Sequence, residues 1–401
     1  MAAYPPYPEQ VSFFRRVVDA LVSLVLSLGA LAAIVVVVGG YALSGPKHHG
    51  PKGGNFDGHR FVNVPETDHG GWWALGKWLA TRKPPQWQKR EVVFGPKPPA
   101  RVGKGELRVT FVNHATVLIQ QDGLNILTDP TWSDRASPVS WAGPQRFHSP
   151  GITKEDLPPI DVVAISHNHY DHLDLPTLKW LHAARKPTFY VGLGNRPLLT
   201  EAGITQVKEM DWWQSVEIGQ SGGEPVELIG VPARHFSGRG LFDRDRTLWL
   251  GFVVRGPAGS TYFAGDTGFG THFAEIKRRF GSPRLALLPI GASLPAWFMK
   301  EVHLNPAEAV DAHEVLGAGM SVPLHYGTFP LGDDGQDQPL RGLEETLAKK
   351  PASGPGWSVL KFGEGRMVPA LPAAEKPART TAAVDGKLAA QPGATPETKA
   401  P

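Results

Sequence analysis

Cysteine is absent from the 401 residues, and its absence removes several chemistries at once. There can be no disulfide, no thiolate zinc site, no cysteine nucleophile and no cysteine-linked lipid anchor. Any metal must therefore be held by histidines and carboxylates. Strong charge of one sign is missing as well. The formal net charge of +3 is too small to argue for a nucleic-acid partner, and none is expected. Apolar residues are not scarce: at 41% of the chain they suffice for one large domain with appendages.

In one stretch charge is missing altogether. From Ala20 to Ala42 only Ser23, Ser27 and Tyr41 carry polar groups. A run of this length spans a hydrocarbon core as a helix and exceeds the usual apolar segment of a cleaved signal peptide, so it reads as an uncleaved transmembrane anchor. A core helix would show polar punctuation on one face. Arg15 and Arg16 flank one end, and Lys47, Lys52 and Arg60 the other, so flanking charge does not decide orientation. The expectation carried forward is that the domain after the anchor lies on the extracytoplasmic, periplasmic side.

The rest of the chain divides by composition. Residues 1–44 form the anchor, and residues 45–100 a linker followed by an aromatic, basic extension with Trp72, Trp73, Trp78 and Trp87. Such tryptophans suit either a membrane interface or the cover of a globular domain. Residues 101–367 show short apolar runs ended by turn residues (LRVTFV, ATVLIQ, LNILTD, DVVAIS, TFYVGL, VELIGVPA, LWLGFVV, TYFAGD, LALLPI) with helical patterns at Pro176–Ala184, His272–Phe280 and Pro306–Leu316. That mixture predicts a layered α/β domain. Residues 368–401, rich in Ala, Pro, Lys and Thr, are expected to be disordered.

The chemistry concentrates in His167-Asn168-His169-Tyr170-Asp171-His172, directly after the apolar run ending at Ser166. Alternate side chains of an extended segment share a face, so His167 and His169 can converge on one metal, while Asp171 and His172 can address a second. His235, Asp266 and His325 each follow a buried apolar run, where a strand would present them at the end of a sheet. Each alone reads more readily as a hydrogen-bonded structural residue. Together with the loop they form a ligand set. Gly265 and Gly268 flank Asp266 and permit close backbone approach.

HNHYDHLD, FAGDTG, LALLPIGA, WFMKEVHLNPAEAV and LHYGTF, with NHATVLI, LTDPTWSDRASP and GPQRF upstream, resemble the N-acylphosphatidylethanolamine-hydrolysing phospholipase D family of the metallo-β-lactamase superfamily. The likeness covers about Arg101 to Gly365. It implies an αββα sandwich with two zinc ions, His167, His169 and His235 on one, Asp171, His172 and His325 on the other, and Asp266 bridging them. It further implies hydrolysis of a phospholipid to N-acylethanolamine and phosphatidic acid, with Asp266 and His303 as catalytic residues. His303 would contact the phosphate or protonate the departing oxygen. His114 is expected to orient a ligand rather than bind metal. Trp297, Phe298 and Met299, and also Trp132, Trp141 and Phe147, are candidates for an acyl groove. The family includes dimers, so a homodimer is among the expectations, although no motif specifies its interface.

Two rival readings remain at this level. One is a hydrolase of a soluble sugar-phosphate lactone or other phosphodiester, for which a small basic pocket would speak. The other is a non-catalytic membrane-tethered binding protein, against which the complete ligand set argues.

Overall fold

The computed structural model describes residues 9–66, 70–350 and 356–371. Strands β1 (Leu107–Asn113), β2 (Thr116–Gln121), β3 (Leu124–Thr128), β4 (Val162–Ile165), β5 (Thr188–Gly192) and β6 (Val207–Met210) form one sheet in that order. β7 (Ser215–Ser221), β8 (Glu224–Val231), β9 (Gly251–Gly256), β10 (Gly259–Phe263), β11 (Leu285–Pro289) and β12 (Met320–Leu324) form a second. β13 (Gly365–Met367) returns to pair with β1 on the edge of the first.

The strand sequences explain why the sheets stack. Along β1 to β4, Val109, Phe111, Val117, Ile119, Ile126, Val162 and Ala164 belong to one core, which they share with the second sheet. The alternate residues Val112, Leu118, Leu127, Val163 and Ile165 belong to another, on the opposite face. That second core is closed by helices α3 (Leu175–Arg185) and α4 (Arg196–Glu201), through Leu178, Leu181 and Leu199. Both faces of the strands are therefore apolar, as the unbroken runs predicted. Each fully buried Leu, Ile or Phe contributes about 1.5–3 kcal/mol. Helices α5 (His272–Phe280) and α7 (Pro306–Leu316) cover the second sheet with Phe273, Ile276 and Val310, and α8 (Gln338–Lys349) packs on α7. The result is the αββα sandwich of the metallo-β-lactamase fold.

The N-terminal parts are built onto this body. Helix α1 (Glu9–Leu43) includes Phe13–Leu43, with a mean hydropathy of 2.9 in its most apolar window, and is long and apolar enough to cross a membrane. The segment after it is packed rather than loose. Phe56 and Phe61 join the central core, and the His48 N–H donates to the Arg246 carbonyl at 2.9 Å. Helix α2 (Gly71–Thr81) lies against the short α6 (Ala296–Met299).

The four tryptophans of the extension divide. Trp78 stacks on Phe298 with centroids 5.2 Å apart, and Trp87 donates to the Asp334 carbonyl, so both cover the domain. Trp73 is 84% exposed. The Trp72 side chain, and the tail from residue 372, lie outside the described residues.

Candidate metal centre

Strand direction brings distant histidines together. β3 and β4 run parallel, so Asp129 and His167, which follow them, emerge at the same end of the first sheet. β10, β11 and β12 are parallel, and β8 joins that direction through two antiparallel steps across β9. His235, Asp266 and His325 therefore leave the second sheet at its carboxyl end. Glycine makes the approach close. A Cβ on Gly265, whose φ is +60°, would sit 2.5 Å from that of Ser166, and one on Gly268 would sit 2.3 Å from the Glu301 carbonyl oxygen. His303 is held at the entry of α7, whose Asn305-Pro306-Ala307-Glu308 start forms a reciprocal capping box.

The donor atoms fall into two groups joined by one carboxylate. His167 Nε2 lies 2.8 Å from His169 Nδ1, and His235 Nε2 3.3 Å from that same nitrogen. In the other group, Asp171 Oδ2 lies 3.1 Å from His172 Nε2 and 3.3 Å from His325 Nε2. Asp266 Oδ2 sits between the groups, 3.2 Å from His172, 3.1 Å from His325 and 3.8 Å from His235. All seven residues named from the sequence as ligands meet here.

The outer hydrogen bonds fix which ring nitrogens face inward. His235 Nδ1 donates to the Val302 carbonyl at 3.0 Å, leaving Nε2 as a lone pair toward the cluster. Ser166 Oγ donates to Asp129 Oδ2 at 2.6 Å and so accepts from His167 Nδ1 at 2.9 Å, which turns the lone pair of His167 Nε2 inward. His172 Nδ1 donates to Asp129 Oδ2 at 2.6 Å, so its Nε2 faces the Asp171 and Asp266 oxygens. Beside two carboxylates that position carries a proton or, in its place, a metal cation.

Titration and hydrogen bonding agree with this geometry. Burial opposes a charge on His172 and His325, yet Asp266 and Asp171 outweigh it, holding His172 well above the imidazole range and His325 at about 9. Burial would also raise the two carboxyls, and the surrounding histidines instead keep Asp171 and Asp266 well below the usual carboxylate range. Burial keeps His167, His169 and His235 neutral, His169 at about 4. His172 Nε2, Asp266 Oδ1 and His303 Nδ1 are buried with no hydrogen-bond partner among the described residues. Three neutral imidazoles, two more whose protons sit between carboxylates where a cation would replace them, ionised Asp171 and Asp266, and orphaned inward-facing atoms make a donor set that a borderline-soft divalent cation takes, so the residues fit a metal.

His303 stands slightly apart, Nδ1 3.9 Å from Asp266 Oδ2, and burial pushes it down to about 4. His114 Nε2 meets Asp171 Oδ2 at 2.9 Å, and its ring lies 4.1 Å from that of His325. It thus touches the cluster at the Asp171 carboxylate.

A cavity of about 240 Å³ opens onto the cluster, reaching His169, Asp171, Asp266, His303 and His325. Its other walls are Leu75 and Trp78 of α2, Phe298 and Met299 of α6, and Phe236, Val302, Leu331 and Arg244. Of the rings offered as an acyl groove, Phe298 lines it and Met299 adds its side chain, whereas Trp132, Trp141 and Phe147 do not. Trp132 donates to the Ile152 carbonyl, Trp141 is 79% exposed, and Phe147 packs on Trp87.

Four contributors escaped the sequence reading. Asp129, fully buried, accepts from the Ser166 N–H at 2.7 Å besides its bonds to Ser166 Oγ and His172. It ends the run LNILT just as Asp266 ends TYFAG, so the same strand-end signal was present. Asn63 clamps the His235 backbone, donating to its carbonyl at 3.0 Å and accepting from its N–H at 3.1 Å. Arg244 carried no local signal of its own, and the α2 wall was legible only as an aromatic, basic stretch.

A sandwich with histidines and aspartates gathered at the carboxyl ends of its strands belongs to the metal-dependent hydrolases. The chain is a member of the beta-lactamase superfamily: residues 124–326 match its domain. It is 40% identical over 233 residues to N-acyl-phosphatidylethanolamine-hydrolyzing phospholipase D 1 of Caenorhabditis elegans, covering 56% of this chain and 65% of that one. It is 30% identical to a metal-dependent hydrolase of Methanopyrus kandleri, covering 60% of this chain and 92% of the other. A structure from Veillonella parvula, described as a possible metal-dependent hydrolase, shares the fold at 15% identity and a TM-score of 0.50, covering 65% of this chain and 98% of that one. The chain spans less than two thirds of the length of the curated relatives it matches at 40% identity or more.

Proposed function

We propose that the protein is a dinuclear zinc phosphodiesterase of the phospholipase D type, hydrolysing N-acylphosphatidylethanolamine to N-acylethanolamine and phosphatidic acid. One observation carries the choice of a lipid over a soluble substrate: the cavity leading to Asp266 and His303 is walled mainly by Leu75, Trp78, Phe298, Met299, Val302 and Leu331. A sugar-phosphate lactonase would call for a small basic pocket, and Arg244 is the one arginine or lysine on these walls. The C. elegans relative supports the same choice.

His167, His169 and His235 would hold one ion, Asp171, His172 and His325 the other, with Asp266 between them. The chemistry such ions would supply when bound is acidification of water and neutralisation of phosphodiester charge. The bond from water oxygen to phosphorus forms, the bond from phosphorus to the ethanolamine oxygen breaks, and one water proton ends on the departing oxygen. His303, neutral near pH 7, offers a ring N–H to a phosphate oxygen, which favours phosphate contact over service as the proton store. Arg244 is placed to pair with the same anion from the cavity wall. The apolar walls receive an acyl chain and exclude water. α1 anchors the enzyme, with the catalytic domain on the extracytoplasmic side.

The test is zinc content together with product analysis on N-acylphosphatidylethanolamine in micelles, beside a panel of phospholipids and soluble phosphodiesters. Two zinc ions per chain and released N-acylethanolamine are expected. Asp266→Asn should suppress turnover while the domain stays folded. A metal-free chain would remove the zinc reading; a zinc-loaded chain cleaving only soluble esters would remove the lipid.

A further inference from the structure

The apolar run of α1 ends at Ala42, but α1 is already locked to the domain before that point. Gly40 is buried on Leu241 so closely that a Cβ would lie 2.6 Å from Leu241 Cδ1, and a Cβ on Gly240 would lie 2.7 Å from the Gly40 carbonyl oxygen. Two facing glycines thus bring the helix and the 239–243 loop into backbone contact. Tyr41 packs on Phe242 with centroids 4.8 Å apart. The Phe242 N–H donates to Ser44 Oγ at 3.3 Å, and the Gly45 N–H donates to Asp243 Oδ2 at 2.7 Å. Asp243 in turn accepts from the Arg239 and Gly240 N–H groups, both at 2.8 Å.

That loop is bound on its other side to the histidine segment. Arg239 Nη1 donates to the Asn168 and Leu173 carbonyls at 2.8 and 3.0 Å, and its guanidinium lies 3.8 Å above the Tyr170 ring. The Gly238 N–H donates to Asn168 Oδ1 at 2.8 Å. Phe236 and Arg244, at the two ends of the same loop, line the cavity.

We infer that α1 is a rigid mount rather than a tether: by docking on residues 239–243 it fixes the cavity mouth against the surface of a phospholipid bilayer, so that substrate enters from the membrane plane. A hydrocarbon core about 30 Å thick consumes about 20 helical residues, so a span that uses Ala20–Ala42 places Tyr41 and Leu43 at its boundary. No slack chain separates that boundary from the domain. Leu241 and Phe242 therefore lie at the interface, on the loop whose flanking residues Phe236 and Arg244 line the cavity. The elements concerned carry exposed aromatic side chains suited to an interface: Tyr41 at the end of α1 is 70% exposed, and on the two helices that wall the cavity Trp73 of α2 is 84% and Trp297 of α6 52% exposed. Lys77 sits over the Trp297 ring at 4.7 Å.

The inference rests on the phospholipid reading for its enzymatic arm and on nothing but placement for its spectroscopic one. The chain lacks cysteine, so Trp73→Cys in the full-length protein gives a single label site. An environment-sensitive fluorophore there, in phosphatidylcholine vesicles, should emit blue-shifted and be quenched by lipids brominated high on the acyl chain. Water-like, unquenched emission overturns the proposal. In the enzymatic arm, Gly40→Leu breaks the dock while leaving the span and the histidines in place. Turnover of N-acylphosphatidylethanolamine in vesicles should fall about tenfold with turnover in mixed micelles within about twofold of the parent, because only orientation at the bilayer is lost. Equal loss in both, or loss in neither, overturns it. If the parent chain cleaves no phospholipid in any form, the substrate reading fails, and the label alone decides the mount.

Discussion

Replacing Asp129 by Asn tests how far the metal centre depends on a residue outside it. The carboxylate accepts three hydrogen bonds within 2.7 Å, from the Ser166 N–H, Ser166 Oγ and His172 Nδ1. An amide keeps one acceptor, which can serve the Ser166 N–H, and presents an NH2 to the others. His172 Nδ1 must then accept instead of donate, and its ring proton moves to Nε2. That is the atom 3.1 Å from Asp171 and 3.2 Å from Asp266, the one that has to offer a lone pair. Loss of such an orienting partner costs about 10- to 100-fold in metal affinity or activity, equivalent to about 1.4–2.7 kcal/mol. Metal affinity measured by chelator competition should fall in that range, and under the proposed two-zinc reading the loss should concentrate at the site His172 would complete, so that one equivalent is released before the other. Competition curves for Asp129→Asn that overlay the parent's, with full turnover, would refute the reasoning. A variant that still binds two equivalents tightly but turns over slowly would move Asp129 from metal affinity to ligand orientation during the reaction.

Other outcomes follow from the same geometry. In metal-stripped protein His325 is held at about 9 against an ordinary 6.5, so the stability it contributes is complete below pH 6.5 and lost as pH rises through 9. Metal affinity should run the opposite way, rising with pH because binding needs the ring deprotonated, and thermal melts of both forms across pH 6–10 would show the two slopes. Asn63→Leu leaves the His235 N–H and carbonyl without their partner, at about 1–3 kcal/mol for each group left buried and unpaired, to be read in denaturant unfolding and in weakened zinc binding. Phe298→Ala removes the ring that stacks on Trp78 and lines the cavity; it should raise KM for long-chain substrates well beyond any fall in kcat, and an equal effect on a short-chain ester would count against an acyl site.

Much of this molecule is legible in one dimension. The strand runs LRVTFV, ATVLIQ, LNILTD, DVVAIS and their successors were readable because residues buried on both faces leave unbroken apolar stretches. The helices at 175–185, 272–280 and 306–316 fell where the helical patterns at Pro176–Ala184, His272–Phe280 and Pro306–Leu316 put them, to within a residue. β6 and β7 were missed because they carry Lys, Glu and Gln, exposed or half-buried along much of their length. β13 is a three-residue edge with no pattern of its own. The aromatic α2 was read only as composition, since its role comes from what it lies against.

Which atoms are available can be read from the order of residues: no thiol, one histidine-rich loop, and His235, Asp266 and His325 each at the end of an apolar run. That much is local, because a strand end is where a polar side chain can leave a core. Which of these atoms share a cation depends on the parallel courses of β3 and β4 and of β8, β10, β11 and β12, a relation between residues up to about 160 positions apart that no local pattern encodes. That Asp129 and Asn63 hold the ligand histidines, that α2 and α6 wall the cavity, and that the apolar helix meets the domain at Gly40 emerge only when the chain is packed, because each of these is a contact whose two halves are separately ordinary.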